Sequence, residues 1–579
     1  MLQLFMTHLK GLKKDAIKSP ILILLEVALE LILPLVMTEI VDVAIPGKDV
    51  SYIFLLGVLM VIISVASMAC GVLSAKYATF ASQGFGANLR QAMFTKVQEF
   101  SFADIDRFSS ASLITRMTND VNQMTMMLNM GLRMLFRAPA MLVVALVISL
   151  SINAKVAIVL LVIIPIMAVA IAVIMKICGR LFGVMQKKID GLNNTLQENL
   201  VAIRVVKAFV REDHEREKFD KANDEMMQAG INVGMRIITI MPVMTLCMNA
   251  ATVGVLYIGG RLVMGGDFLL GDLQAILNYV FMVLMSVMMV AMTLLNLSRA
   301  QACAKRINEV LETVPNVADD EQAAQRSLPE AKGKVEFDHV CFRYVTGGTG
   351  DDVLHDISFT VEPGKFVAIV GGTGTGKSSL VNLIPRFYDV TGGRVLVDGM
   401  DVRDYPLEEL RGRIGMVLQN NVLFSGTIRE NLMWGREDAT EEEMIQAAKD
   451  AQAYEFIMAR PEGFDTMVTQ GGTNVSGGQK QRLCIARAML RKPAILILDD
   501  STSAVDSTTE AAIRESLAKN LKGTTVIIIA QRISSVRYAD EILILDDDHI
   551  AARGTHEELL ATSSIYQEIY QSQQEGVGE

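Results

Sequence analysis

The chain has 579 residues, 51% of them hydrophobic and 20% charged, with a formal net charge of −10. So apolar a composition is rare in a soluble domain, and the length leaves room for several domains. The acidity argues against a nucleic-acid partner, because no basic stripe is available to neutralise phosphates.

The opening MLQLFMTHLKGLKKDAIKSP reads as a short amphipathic helix with Lys10, Lys13, Lys14 and Lys18 on its polar side, rather than as a cleaved secretory signal. Six apolar runs follow, at roughly 19–41, 52–76, 133–153, 156–178, 238–261 and 272–296. Each suffices to cross a hydrocarbon core of about 30 Å as a helix. The connections after the second and fourth runs, near 77–132 and 179–237, are long and polar. They hold Arg90, Lys96, Arg107, Arg116, Lys187, Lys188, Arg204, Lys207 and Arg211. Positive residues mark the cytoplasmic side. The N-terminus, both long connections and, after an even number of spans, the C-terminal half are therefore expected on the cytoplasmic face of a plasma or inner membrane. Both connections keep helical periodicity, so the spans should continue as rods about 35 Å beyond the membrane. Residues 101–110 and 206–219 fall where these hairpins turn, and are candidates for surfaces that press on a soluble domain.

Residues 1–300 thus read as a membrane domain, all-α, with six helices. Residues 301–333, with Pro315 and Pro329, lose the apolar bias and read as a linker. From 334 to 579, short β-branched runs (VEFDHVCF, KFVAIVG, RVLVDG, RIGMVLQ, AILILDD, TTVIIIA, EILILDD) alternate with helical segments. That alternation predicts a cytoplasmic α/β domain with a largely parallel sheet. The six cysteines are scattered, without paired or metal-ligand spacing.

The strongest motif is Gly371, Gly372, Thr373, Gly374, Thr375, Gly376, Lys377, Ser378, which fits GxxxxGK[ST] between a strand and a helix that continues through Ser379. Glycines let backbone N–H groups wrap phosphates, and the helix N-terminus adds a favourable dipole. Lys377 is expected to reach the outer phosphates and Ser378 to ligate Mg²⁺. Asp499, ending the apolar strand AILILDD, suits the same Mg²⁺ site. Between them stand Val475, Ser476, Gly477, Gly478 and Gln479.

These motifs together resemble the ABC transporter family, specifically exporters with six spans fused ahead of one P-loop ATPase domain. VSGGQ is similar to the family's LSGGQ signature, with Val475 in the Leu position. The resemblance implies that Tyr344 stacks on adenine, that Gln419 is the Q-loop glutamine near Mg²⁺, and that Ser503 and Asp506 belong to the D-loop. It also implies that DIDRFSSASLITRMTND and VVKAFVRED are cytoplasmic coupling regions. One ATPase set and no membrane repeat make the chain a half-transporter.

Two positions depart from the family pattern. Where the family has Glu as general base, this chain has Asp500. A carboxylate shorter by one methylene is withdrawn by about 1 Å, whereas a productive base contact spans about 2.6–3.2 Å. Where the family has the switch histidine, this chain has Gln531, which donates a hydrogen bond but carries neither proton nor charge. In the family each ATP lies between one chain's phosphate loop and the other chain's signature. The resemblance thus implies a heterodimer with a second half-transporter. This chain's own site would bind ATP and hydrolyse it weakly, and its VSGGQ would serve the partner's competent site. A homodimer is the other arrangement.

For cargo the sequence offers less. Glu26 and Glu30 lie four apart on one face of the first span. They read either as an attractor of cationic substrates or as partners of another span. Met282, Met285, Met288, Met289 and Met292 line the sixth span, with Asn249, Asn278 and Tyr279 as further polar candidates. Thioethers suit an adaptable surface for amphipathic small molecules, although helix packing explains the same stripe. The expectation is a multidrug-like exporter; the alternatives are a lipid or peptide flippase, or an ATP-gated channel or regulatory protein.

Overall fold

The computed structural model describes residues 1–319, 326–344, 352–500 and 505–575, and the chain divides into two compact units. Met1–Lys96 with Leu113–Glu312 form the first, and Val97–Ser112 with Thr313–Glu579 the second.

Six long helical stretches build the first unit: Lys13–Ala44, Val50–Gln98, Ser110–Ile152, Ala154–Val201, Glu212–Met264 and Leu270–Thr293. Each expected span falls on one of the long helices of this unit to within a residue or two at its ends. The third and fourth are separated by Asn153 alone, whose side chain accepts from Lys155 N at 3.0 Å and Val156 N at 3.3 Å and so caps the fourth. Only 11% of the most apolar stretch of the second and fourth is buried. Large side chains such as Phe54, Ile62, Val169 and Val253 point outward. Such a surface is costly in water and favourable in lipid. This is a multi-pass membrane domain. Its interior is a cluster that includes Val27, Leu31, Leu160, Ala251 and Val283. The N-terminal helix Leu2–His8 lies on the second span: Phe5 and Phe85 have ring centroids 5.1 Å apart, and Asn88 Nδ2 donates to the His8 carbonyl at 2.9 Å.

The last helix, Leu270–Glu312, runs on through residues 301–312, which the sequence reading placed in the linker. Ala300, Ala304, Ile307 and Val310 are buried at helical spacing, so an apolar stripe persists although the mean composition turns polar. Arg306 Nε on this extension donates to Asp120 Oδ2 at 2.7 Å, and Arg116 reaches Glu309 Oε2 at 2.8 Å, which ties it to the cytoplasmic end of the third span.

The second unit holds two sheets and a short two-stranded ribbon. Strands β1 (Val335–Phe342), β2 (Leu354–Val361), β4 (Gly392–Val397) and β5 (Met400–Asp401) form an antiparallel sheet in the order β2-β1-β4-β5. Two of the runs expected in the parallel sheet, VEFDHVCF and RVLVDG, thus pair with each other instead: a run of β-branched residues fixes a strand but not its partner. The main sheet contains β3 (Phe366–Gly371), β6 (Ile414–Val417), β9 (Ile495–Asp499), β10 (Thr525–Ile529), β11 (Glu541–Asp546) and β12 (His549–Gly554). Their order is β12-β11-β3-β10-β9-β6, parallel except for β12 at one edge. The ribbon pairs β7 (Gly426–Thr427) with β8 (Met467–Val468).

The turn of the first long hairpin, helix Phe102–Phe108, belongs to this second unit. Ser101 and Asp104 close a capping box at its start, and the buried Asp104 also accepts from Asn316 Nδ2 at 3.1 Å. The Phe102 ring lies 4.5 Å from Phe387, and Tyr388 donates to Asp106 Oδ2 at 2.9 Å.

Candidate functional site

Register aligns the ends of three strands. Ile529 of β10 sits opposite Ile369 of β3 and opposite Asp499 of β9. The phosphate loop after β3, Asp500 after β9 and Gln531 after β10 therefore emerge together at the carboxyl edge of a parallel sheet, where ligands of open α/β sheets bind. Gln419 follows β6 at the same edge and is exposed.

Glycine is required at particular positions of the loop. Gly376 has φ +83°, and a Cβ at Gly371 would sit 2.2 Å from the Leu545 carbonyl oxygen. Lys377 opens the helix Lys377–Asn382, and its ammonium folds back on its own loop, donating to the Gly371 carbonyl at 3.0 Å and to that of Gly372. Ser378 Oγ donates to Asp499 Oδ1 at 3.0 Å, and Asp499 is only 3% exposed. Burial pushes the carboxyl groups of Asp499 and Asp500 up and the Lys377 ammonium down. Each charge here is disfavoured by its surroundings and would gain from a counter-charge. A hydroxyl beside a buried carboxylate is a hard oxygen pair that fits Mg²⁺.

Asp500 has φ +45°, an uncommon conformation for a residue with a side chain, and its N–H donates to the Ile529 carbonyl at 3.0 Å. Gln531 Nε2 donates to Asp500 Oδ2 at 3.0 Å. Asp500 and Gln531 are thus hydrogen-bonded to each other.

Tyr344 is half-buried; its hydroxyl is 2.8 Å from Ser379 Oγ, and its ring meets Tyr388 edge-on at 5.2 Å. Burial, with the Asp106 carboxylate, pushes the Tyr388 phenol far above its ordinary range. An aromatic contact therefore joins Tyr344 to the residue that grips the helix Phe102–Phe108. Nothing in the local sequence flags Tyr388.

The signature residues form a separate locus. Ser476 caps the 14-residue helix Gly477–Leu490: its Oγ accepts from Gln479 N at 3.3 Å, and Gln479 Oε1 accepts from Ser476 N at 3.2 Å. Val475 packs on the domain core, Ser476 and Gly477 are exposed, and Gly478 is partly buried. Among the described residues, none of the five hydrogen-bonds to the phosphate loop, Asp499, Asp500 or Gln531. Asp506 caps the helix Ser507–Asn520 by accepting from Thr509 N at 3.0 Å. Ser503 lies outside the described residues.

In the membrane unit, Arg137 of the third span donates to Glu26 and, at 2.8 Å, to Glu30 Oε1. Of the two readings of these glutamates, the geometry is that of partners to another span. The sequence reading overlooked Arg137, which opens the apolar run RAPAMLVV; removing one member of such a partly buried group would leave charge uncompensated. Tyr279 is likewise structural, since its buried hydroxyl donates to the Leu31 carbonyl at 2.7 Å. Asn278 and Met285 are exposed on the sixth span and Met289 is partly buried, while Asn278 donates to the Gln274 carbonyl of its own helix.

Comparison with known proteins is consistent along the whole chain. The family described as the ABC transporter transmembrane region matches residues 17–288, and the one described as ABC transporter matches 354–503. An uncharacterized ABC transporter ATP-binding protein of Bacillus subtilis, YfiB, is 42% identical over 96% of this chain and 95% of its own length. YgaD of the same organism, named as a putative multidrug export ATP-binding/permease protein, is 31% identical over 98% of each. A solved bacterial Atm1-family ABC exporter with ATP bound matches with a TM-score of 0.82 at 26% identity, covering 97% of this chain and 99% of that one.

Proposed function

This chain belongs to the ABC transporter family as an exporter-type half-transporter, and from that premise we propose that it is the degenerate-site subunit of a heterodimer that expels amphipathic, drug-like molecules. Exporters of this fold act as dimers and hydrolyse ATP.

The observation that carries the proposal is the Gln531–Asp500 hydrogen bond at 3.0 Å. The carboxylate at the base position is short, and its Oδ2 already accepts a hydrogen bond from Gln531. Water at this site lacks a well-placed base. Tyr344 stacks on adenine, loop N–H groups from Gly372 to Lys377 hold the phosphates, and Lys377 exchanges its loop carbonyls for phosphate oxygens. Ser378 and Asp499, with Gln419, would hold Mg²⁺, which neutralises phosphate charge when bound. This site therefore retains nucleotide, while Ser476 and the N-terminus of its helix face the ATP on the partner. Domain closure on two nucleotides moves the coupling helix Phe102–Phe108 and, with it, the spans.

For cargo, Arg137 engages both Glu26 and Glu30, which leaves Asn278, Met285 and Met289 as the candidate contacts, and these suit apolar molecules with few polar groups. The name of YgaD points to the same class. Stimulation of ATPase in proteoliposomes by drug-like amphiphiles, and not by added lipid or peptide, is the expected result; stimulation by lipid alone would make the chain a lipid exporter.

A further inference from the structure

We propose that the C-terminal helix, Ser564–Glu575, is a strut that positions the switch segment, and that Gln573 is the residue through which it acts. Its relevance to nucleotide rests on the reading of Gln531 as the switch-position residue, whose carboxamide can donate a hydrogen bond to the terminal phosphate.

The switch segment leaves β10 at Ile529 and enters the short helix Ile533–Val536. The first N–H of a helix has no partner within it. Arg532, at the cap position, supplies no side-chain hydrogen bond. Gln573 fills that place from another element: its Oε1 accepts from Ile533 N at 2.8 Å. Its Nε2 donates to the Gln531 carbonyl at 2.7 Å. One carboxamide thus satisfies an acceptor at residue 531 and a donor at residue 533, as a neighbouring strand would. The backbone between them is fixed from both sides. From that backbone the Gln531 side chain reaches Asp500.

The strut itself is anchored. Tyr566 is fully buried, with its hydroxyl 2.7 Å from His556 Nδ1, and Ile565, Ile569 and Tyr570 pack on the domain core. Gln567 Nε2 donates to the Leu560 carbonyl at 2.6 Å, which joins the strut to the helix before it. Gln573 is partly exposed, two turns beyond the buried Tyr566. Substitution there leaves the anchor in place while releasing the switch.

The test uses the full chain, purified alone, with wild type, Gln573→Ala, Gln573→Glu, Gln531→Ala and the double alanine variant. Without nucleotide, hydrogen exchange at the Ile533 amide should rise about 10-fold in Gln573→Ala, the scale of one lost hydrogen bond. It should stay near wild type in Gln573→Glu, which keeps the accepting oxygen, and exchange across 564–570 should not change. Release of a fluorescent ATP analogue with Mg²⁺ should be faster in Gln573→Ala and in Gln531→Ala, and no faster in the double variant. An unchanged Ile533 amide overturns the strut. Multiplying release rates in the double variant, or faster release from Gln531→Ala with wild-type release from Gln573→Ala, overturns its link to the switch. Wild-type release from Gln531→Ala overturns the reading on which that link rests, with the exchange result still deciding the contact itself.

Discussion

The phosphate-loop face and the signature face of the ATPase domain differ in what their polar groups are bonded to. On the first, Lys377 bonds the loop carbonyls, Ser378 bonds Asp499, and Gln531 bonds Asp500. On the second, Ser476 and Gln479 cap a helix whose N-terminus opens outward, with Ser476 and Gly477 exposed. A helix N-terminus favours negative charge. The difference teaches that the polar groups of the first face are bonded to one another within the chain, whereas the second face presents exposed residues at a helix start. Asp500 and Gln531 both lie on the first face, and VSGGQ lies on the second.

Substitutions should break the two faces apart. Ser476→Ala has the largest expected effect: the steady-state ATPase of the chain with its copurified partner should fall about 10²-fold, the scale of losing a donor to developing charge. The melting temperature should move little, because a lost helix cap costs only about 1 kcal/mol. Next, Lys377→Ala should weaken ATP binding to the chain alone by about 1.5–3 kcal/mol, the worth of a hydrogen bond from a charged group, as read by titration with a fluorescent analogue. Tyr388→Phe keeps the ring contacts and deletes the bond to Asp106. About 1.5 kcal/mol is at stake there, and substrate stimulation of ATPase should drop several-fold while ATP affinity holds. Smallest of all, Asp500→Asn should change turnover of the assembled pair by less than about 2-fold, since this carboxylate is not asked to act as base. A large loss from Asp500→Asn, or none from Ser476→Ala, would reverse the roles of the two faces.

Much of this was legible from local pattern. The six spans announce themselves because lipid selects unbroken apolar helix, and the phosphate loop because a strand, five small residues, Lys377 and a helix follow in order. Asp500 and Gln531 stand out by chemistry at fixed positions. What stayed hidden are pairings across long separations. Arg137 meets Glu26 across 111 residues, Tyr388 meets Asp106 across 282, and Gln573 meets Gln531 across 42. No local periodicity encodes such contacts. The helix through residues 301–312 was missed for the opposite reason: its stripe of Ala300, Ala304, Ile307 and Val310 is helical, but average polarity hides it.

The most direct measurement is ATP turnover by the purified chain in proteoliposomes, alone and then with its partner half, alongside the mass of each assembly. A chain that retains Mg·ATP yet turns over at most about 1% of the rate of the mixed assembly is the predicted result, as expected when a general base worth about 10²–10⁴-fold is misplaced. A dimer of this chain alone, hydrolysing ATP and moving substrate at the full rate, would contradict it.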